Sequence, residues 1–148
     1  PLQQGALSLW NCGLTVVAAA GNSGPEGNSI KSPGTSSRII TVGGLDDGRT
    51  DGEIKIADFS SRGPVDTKFK PDLLAPAVDI VSCNNKALPY TKMSGTSVAT
   101  PMVAGICAIL CAQNPHFSPD KIKHTLLNMC KPLTHNKNDE GFGYLKID

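Results

Sequence analysis

Two polar residues of this chain stand where an acyl-transfer reaction would need them. Ser97 lies in Met93-Ser94-Gly95-Thr96-Ser97-Val98-Ala99-Thr100-Pro101, just ahead of the apolar run Val103-Ala104-Gly105-Ile106-Cys107-Ala108-Ile109-Leu110. A serine in the first turn of a helix meets the positive end of the helix dipole and backbone N–H groups that have no intrahelical acceptor. An oxyanion forming beside its hydroxyl is stabilised there. The same position is a common one for a serine that caps a helix, so residue type and place leave both roles open. Asn22, in Gly21-Asn22-Ser23-Gly24-Pro25, has an amide that can be aimed at developing negative charge; its other reading is a turn asparagine tolerating an unusual backbone angle.

The elements that must hold these two residues are legible nearby. Leu14-Thr15-Val16-Val17-Ala18-Ala19-Ala20 is short, apolar and rich in β-branched residues, which fits a strand buried on both faces. Asn22 then follows the carboxyl end of that strand, the edge where open parallel α/β sheets gather ligands. The apolar run after Ser97 predicts a buried helix ending near Gln113, entered through Gly95, with Pro101 tolerated in or near the opening turns. A second helix opens at Ser118-Pro119-Asp120, where serine caps, proline takes the first helical position and the acid faces the dipole. It carries Ile122, Leu126 and Met129 on one face. Residues 1–10 read as a helix, residues 38–43, 54–57 and 78–82 as strands, and residues 24–28 and 46–48 as turns. The pattern is that of an α/β domain with a parallel sheet covered by helices.

Composition removes several classes of function. The chain has 148 residues, enough for one domain, and a formal net charge of +1, which offers no electrostatic footprint for nucleic acid. It has no internal repeat, and no apolar stretch of the roughly eighteen residues that a membrane span needs is expected. Five cysteines cannot all pair with one another, and their spacing matches no zinc pattern. Cys107 and Cys111, four apart on the predicted helix, are expected as buried reduced thiols, because helical geometry disfavours a bridge between them. Cys12, Cys83 and Cys130 have no motif around them, and so many free thiols suit a reducing cytoplasm better than secretion.

Taken together the segments resemble the subtilisin-like serine proteases, the subtilases. Ala19-Ala20-Gly21-Asn22-Ser23-Gly24 is similar to the family's oxyanion-asparagine segment, and Ser94-Gly95-Thr96-Ser97-Val98-Ala99-Thr100-Pro101 to its nucleophile segment. Between them Ser32-Pro33-Gly34, Ile40-Thr41-Val42-Gly43-Gly44, Phe59-Ser60-Ser61-Arg62-Gly63-Pro64 and Lys70-Pro71-Asp72-Leu73-Leu74-Ala75-Pro76 resemble further family blocks, so the likeness runs from about Leu14 to Tyr144. It implies a three-layer, parallel-sheet subtilisin-like fold. It also implies a serine endopeptidase in which Ser97 attacks the peptide carbonyl and the oxyanion rests between the Asn22 amide and the Ser97 N–H. Ala19, Ala20 and Gly21 would contact a polypeptide substrate, and the chemistry calls for no metal or cofactor.

The family's catalytic Asp and His precede the oxyanion asparagine, and no segment like either occurs here. The resemblance therefore implies that residues 1–148 are the C-terminal half of one peptidase domain, inactive alone, whose partner is the missing N-terminal half. His116, His124 and His135 all follow Ser97 and match no general base. Two other readings accompany this one: a non-catalytic pseudoprotease or interaction protein, and a sedolisin-like acid peptidase, against which Asn22 argues because that group resembles an aspartate there. Two blocks look most like the intracellular bacterial branch, in keeping with a cytoplasmic location; secretion is the alternative.

Three positions carry further expectations. Val98 replaces a methionine common after the nucleophile, which removes an oxidisable thioether without touching the triad. Ala77 stands where the family usually has glycine, and a positive backbone angle there would mean strain. Lys31, two before Pro33-Gly34, falls at a position near the floor of the pocket for the side chain preceding the cleaved bond. Its ammonium either favours acidic side chains there or points into solvent.

Overall fold

The computed structural model describes residues 1–49, 52–85 and 89–145. Its centre is a sheet in the order β1-β2-β4-β8-β7, built from β1 (Val17–Ala19), β2 (Ile40–Asp46), β4 (Leu73–Pro76), β7 (Cys130–Lys131) and β8 (Tyr144–Leu145). A short β3 (Lys55–Ile56) joins the end of β2. β1, β2, β4 and β8 run parallel, and β3 and β7 are antiparallel to their neighbours. The class is α/β with a mostly parallel sheet, as the apolar β-branched runs require. β5 (Ile80–Cys83) and β6 (Tyr90–Met93) form a separate antiparallel hairpin that leads directly into Ser94. Neither β4 nor β6 is visible in sequence pattern: β4 lies among prolines, and every residue of β6 is exposed or half-buried, with no alternation to reveal it.

Side chains alternate across β4, and so do the two cores. Leu73 and Ala75 join Ile40, Val42, Trp10, Val103, Ile122 and Leu126 in the larger core, on the face covered by α1 (Leu2–Asn11), α2 (Thr96–Gln113) and α3 (Pro119–Asn128). Leu74 points the other way, to Leu45 and Ile56, where Leu133 and Tyr144 close the opposite face without a long helix. Ile122 and Leu126 are fully buried. Ser118 caps α3 as its sequence predicts, its hydroxyl accepting from the Lys121 N–H, with Pro119 and Asp120 in the first turn. Met129 lies just past the helix as its C-cap residue, half-buried against the same core.

Helix α2 departs from expectation in three ways. It is not buried all round: Thr96, Ala99, Val103, Cys107 and Leu110 form a buried stripe at helical spacing, whereas Met102 and Ile109 are 40% and 57% exposed. Its 18 residues average a hydropathy of 1.5, so a helix long and apolar enough to cross a membrane does exist here. In this fold its stripe packs on β1, β2 and β4. Pro101 is the sixth helical residue and so lies beyond the four free donors of the first turn; it deprives the Ser97 carbonyl of its usual partner.

A buried polar cluster fastens β2, β4 and α3 to one another. Asp72 accepts from Lys70 Nζ at 2.6 Å and from the Thr41 N–H at 2.7 Å through one oxygen, and from Lys123 Nζ at 2.9 Å through the other. Lys123 Nζ also reaches the carbonyls of Ser37, Arg38 and Ile39 at 3.1, 3.3 and 2.9 Å. Burial outweighs the pull of Asp72 on Lys70 and lowers its ammonium from 10.5 to about 8, with Lys123 and Lys68 adding to the fall.

Candidate active site

Gly95 is where β6 turns into α2. Its φ of +149° suits glycine, and a Cβ there would come within 3.1 Å of Asn22 Nδ2. That proximity brings together two residues 73 positions apart in sequence. Thr96, the first helical residue, completes the join: its backbone N–H and its hydroxyl each donate to Asn22 Oδ1 at 2.9 Å. The same hydroxyl accepts from the Gly21 N–H at 3.2 Å. With Oδ1 twice bonded, the Asn22 amide has one orientation, and Nδ2 is directed toward the start of α2.

Ser97 is exposed at the next position, and its hydroxyl has no described partner. Its backbone N–H belongs to the first turn of α2, where the helix itself supplies no acceptor. Asn22 Nδ2, beside Gly95, and the Ser97 N–H thus both lie at the start of an 18-residue helix, at its positive end. The capping alternative for Ser97 is not realised, since Gly95 takes the N-cap position and no side chain caps the helix.

The Asn22 loop is held from beneath. Ala20 donates to Val42 of β2 and accepts from the Lys31 N–H, both at 2.8 Å. Gly21, at φ +109°, is wedged between two side chains: a Cβ there would lie 2.6 Å from Lys31 Cγ and 2.9 Å from Ser61 Oγ. Ser61 donates its N–H to the Gly21 carbonyl at 2.9 Å and accepts from the Ser23 N–H at 3.0 Å. Ala19 ends β1, which among the described residues pairs only with β2 and so leaves its other edge open. Lys31 therefore lies alongside the loop as an exposed residue, its stem against Gly21 and its ammonium without a described partner.

No described hydrogen bond joins a histidine to Ser97, and His124 pairs instead with Asn128 on α3. Ala77 is fully buried, takes no positive φ, and accepts from the Gly95 N–H at 2.8 Å, so the strain that glycine's absence could have meant does not arise. All five cysteines are free. Burial raises the Cys107 thiol to about 11, with Cys111 adding to the effect, and raises Cys130 to about 12; both are held as thiols. Sequence reasoning reads Thr96 as the neighbour of Ser97 and a candidate helix cap; its grip on Asn22 has no local signature.

Residues 3–144 match the model of the subtilase family, peptidase S8. The serine protease AprX of Bacillus subtilis (strain 168) is 44% identical over 144 residues, aligned with 86% of this chain and 33% of its own length. Pyrolysin of Pyrococcus furiosus is 36% identical over 146 residues, covering 77% of this chain and 10% of its own. Sphericase superposes with a TM-score of 0.87 at 28% identity, over 99% of this chain and 52% of that one. This chain therefore spans at most about half the length of these relatives. A serine on a helix start beside a tethered asparagine, on a parallel sheet, within a family match covering nearly every residue, has one consistent origin: the chain belongs to the subtilase family.

Proposed function

We propose that the protein hydrolyses peptide bonds as a serine endopeptidase, with Ser97 as nucleophile and Asn22 as oxyanion donor. The observation that carries this is the pair of hydrogen bonds that Thr96 donates to Asn22 Oδ1, which leaves Nδ2 as the free end of the amide beside Gly95. The Ser97 hydroxyl adds to the substrate carbonyl while a histidine takes its proton. The tetrahedral oxyanion rests on Asn22 Nδ2 and the Ser97 N–H, the protonated histidine delivers its proton to the leaving amine, and water then releases the acyl group. The histidine and the aspartate that orients it come from a part of the catalytic domain outside residues 1–148, which form the C-terminal portion of that domain. The exposed face of α2 around Met102 and Ile109 and the open edge of β1 suit such a complement. The Ala19-Ala20-Gly21 segment borders the substrate, and Lys31 flanks the side chain that precedes the cleaved bond and favours acidic residues there. Five free thiols favour a reducing compartment as the site of action.

The test is peptidase turnover of the complete protein with Ser97→Ala and Asn22→Ala, beside fluorophosphonate labelling of residues 1–148 alone. Near-background turnover in Ser97→Ala and no labelling of the isolated chain are expected. A Ser97→Ala protein that still cleaves peptides overturns the assignment, and a complete protein with no peptidase activity at all points to a pseudoprotease.

A further inference from the structure

Ser61 has no described hydrogen bond to Ser97, yet it bonds to both neighbours of Asn22. Its backbone N–H donates to the Gly21 carbonyl at 2.9 Å, and its Oγ accepts from the Ser23 N–H at 3.0 Å. A short peptide held at i−1 and i+1 by one residue has little freedom to rotate at i. The anchor is itself rigid: Ser61 is fully buried, and its neighbours Phe59 and Ser60 are fixed, the Phe59 carbonyl by the Gly24 N–H at 3.0 Å and Ser60 Oγ by the Gly44 N–H of β2 at 2.9 Å. From the other side Thr96 fixes only the Asn22 side chain and the Gly21 N–H.

We infer that Ser61 is a positioning residue for the oxyanion donor, setting the backbone of Asn22 while Thr96 sets its amide. This rests on the reading of Asn22 as that donor. The hydroxyl of Ser61 acts by accepting the Ser23 N–H; without it that N–H lacks its partner, the Gly21-Asn22-Ser23 peptide gains freedom, and Nδ2 spends less time where the oxyanion forms. Ground-state substrate binding does not use this donor fully, so the effect falls on kcat and not on KM.

The experiment is a double-mutant cycle in the complete protein, with kcat expressed per active site by titration with a fluorophosphonate so that misfolded molecules are not counted. Ser61→Ala and the size-matched Ser61→Cys, whose sulfur is a weak acceptor, are each made alone and with Asn22→Ala. The expected result is a fall in kcat of about tenfold for either single variant with KM within about twofold, and no further fall when Asn22 is already alanine. Ser61→Cys retains the volume of the buried site and serves if Ser61→Ala yields no folded protein. An unchanged kcat per titrated site in either variant overturns the inference, as does an equal fall in the Asn22→Ala background, which would place the effect of Ser61 elsewhere. If Asn22→Ala alone leaves turnover intact, the oxyanion assignment fails first, and the inference with it.

Discussion

Thr96 grips Asn22 by two donors at once, its backbone N–H and its hydroxyl, both 2.9 Å from the same Oδ1. The residue before Ser97 thus decides which end of the asparagine amide is turned toward Gly95 at the start of α2. Thr96→Val retains the shape and the backbone bond but removes the hydroxyl, which also serves Gly21. Turnover should fall about fivefold to tenfold with KM little changed, the value of roughly one hydrogen bond, measured by steady-state kinetics. A rise in KM at constant kcat would mean that the hydroxyl holds substrate instead.

Asn22→Ala should lower turnover by about 10²–10³, a magnitude known from the oxyanion asparagine of subtilisin, itself a member of this family, and taken from there. Substrate affinity should scarcely move. Intact turnover would reduce Asn22 to a turn residue.

Gly21→Ala introduces a methyl where Lys31 Cγ and Ser61 Oγ already stand within 3 Å, on a backbone at φ +109°. Because Asn22 is next in sequence, the displacement passes directly to the proposed oxyanion donor. A loss of about 10² in kcat is expected, with the secondary structure seen by circular dichroism unchanged.

If Lys31 flanks the substrate side chain as proposed, cleavage after Glu or Asp should have an advantage over cleavage after Lys or Arg. The ammonium is exposed, so the advantage should be a few-fold, about what 0.2–1 kcal/mol provides, and should shrink as salt is raised. Lys31→Ala should abolish it while large apolar residues stay accepted. A peptide-library profile identical in the two proteins would remove Lys31 from the substrate site.

The Lys70, Asp72 and Lys123 cluster governs stability. Asp72→Asn leaves two ammonium groups without their carboxylate and should cost about 3–5 kcal/mol, more than Lys123→Met, after which Lys70 and Asp72 remain paired. The folded-state value of Lys70 is about 8 against 10.5 ordinarily, so between those pH values the unfolded chain holds more protons on this group than the folded one. Its contribution to stability therefore rises with pH across that window and is flat below it. Denaturant melts of wild type and Lys70→Met from pH 7 to 11 check this: the variant should lack the rise.

Local sequence by itself determined where the reactive parts begin. Ser118-Pro119-Asp120 starts a helix, an apolar run after Gly95-Thr96-Ser97 makes another, and a β-branched run ends at Gly21-Asn22, because capping, dipole and periodicity act over a few residues. Family resemblance added roles for Ser97 and Asn22 that these short-range signals left open. What tertiary structure alone decided are the contacts across long stretches of chain: Thr96 to Asn22 over 74 residues, Ser61 to Ser23 over 38, Lys123 to Ile39 over 84. It also decided that α2 buries one stripe and exposes Met102 and Ile109, since periodicity in a helix apolar on every side cannot tell which stripe meets the sheet. Such choices depend on which strands pair and in what register, a property of the folded sheet and not of any single segment.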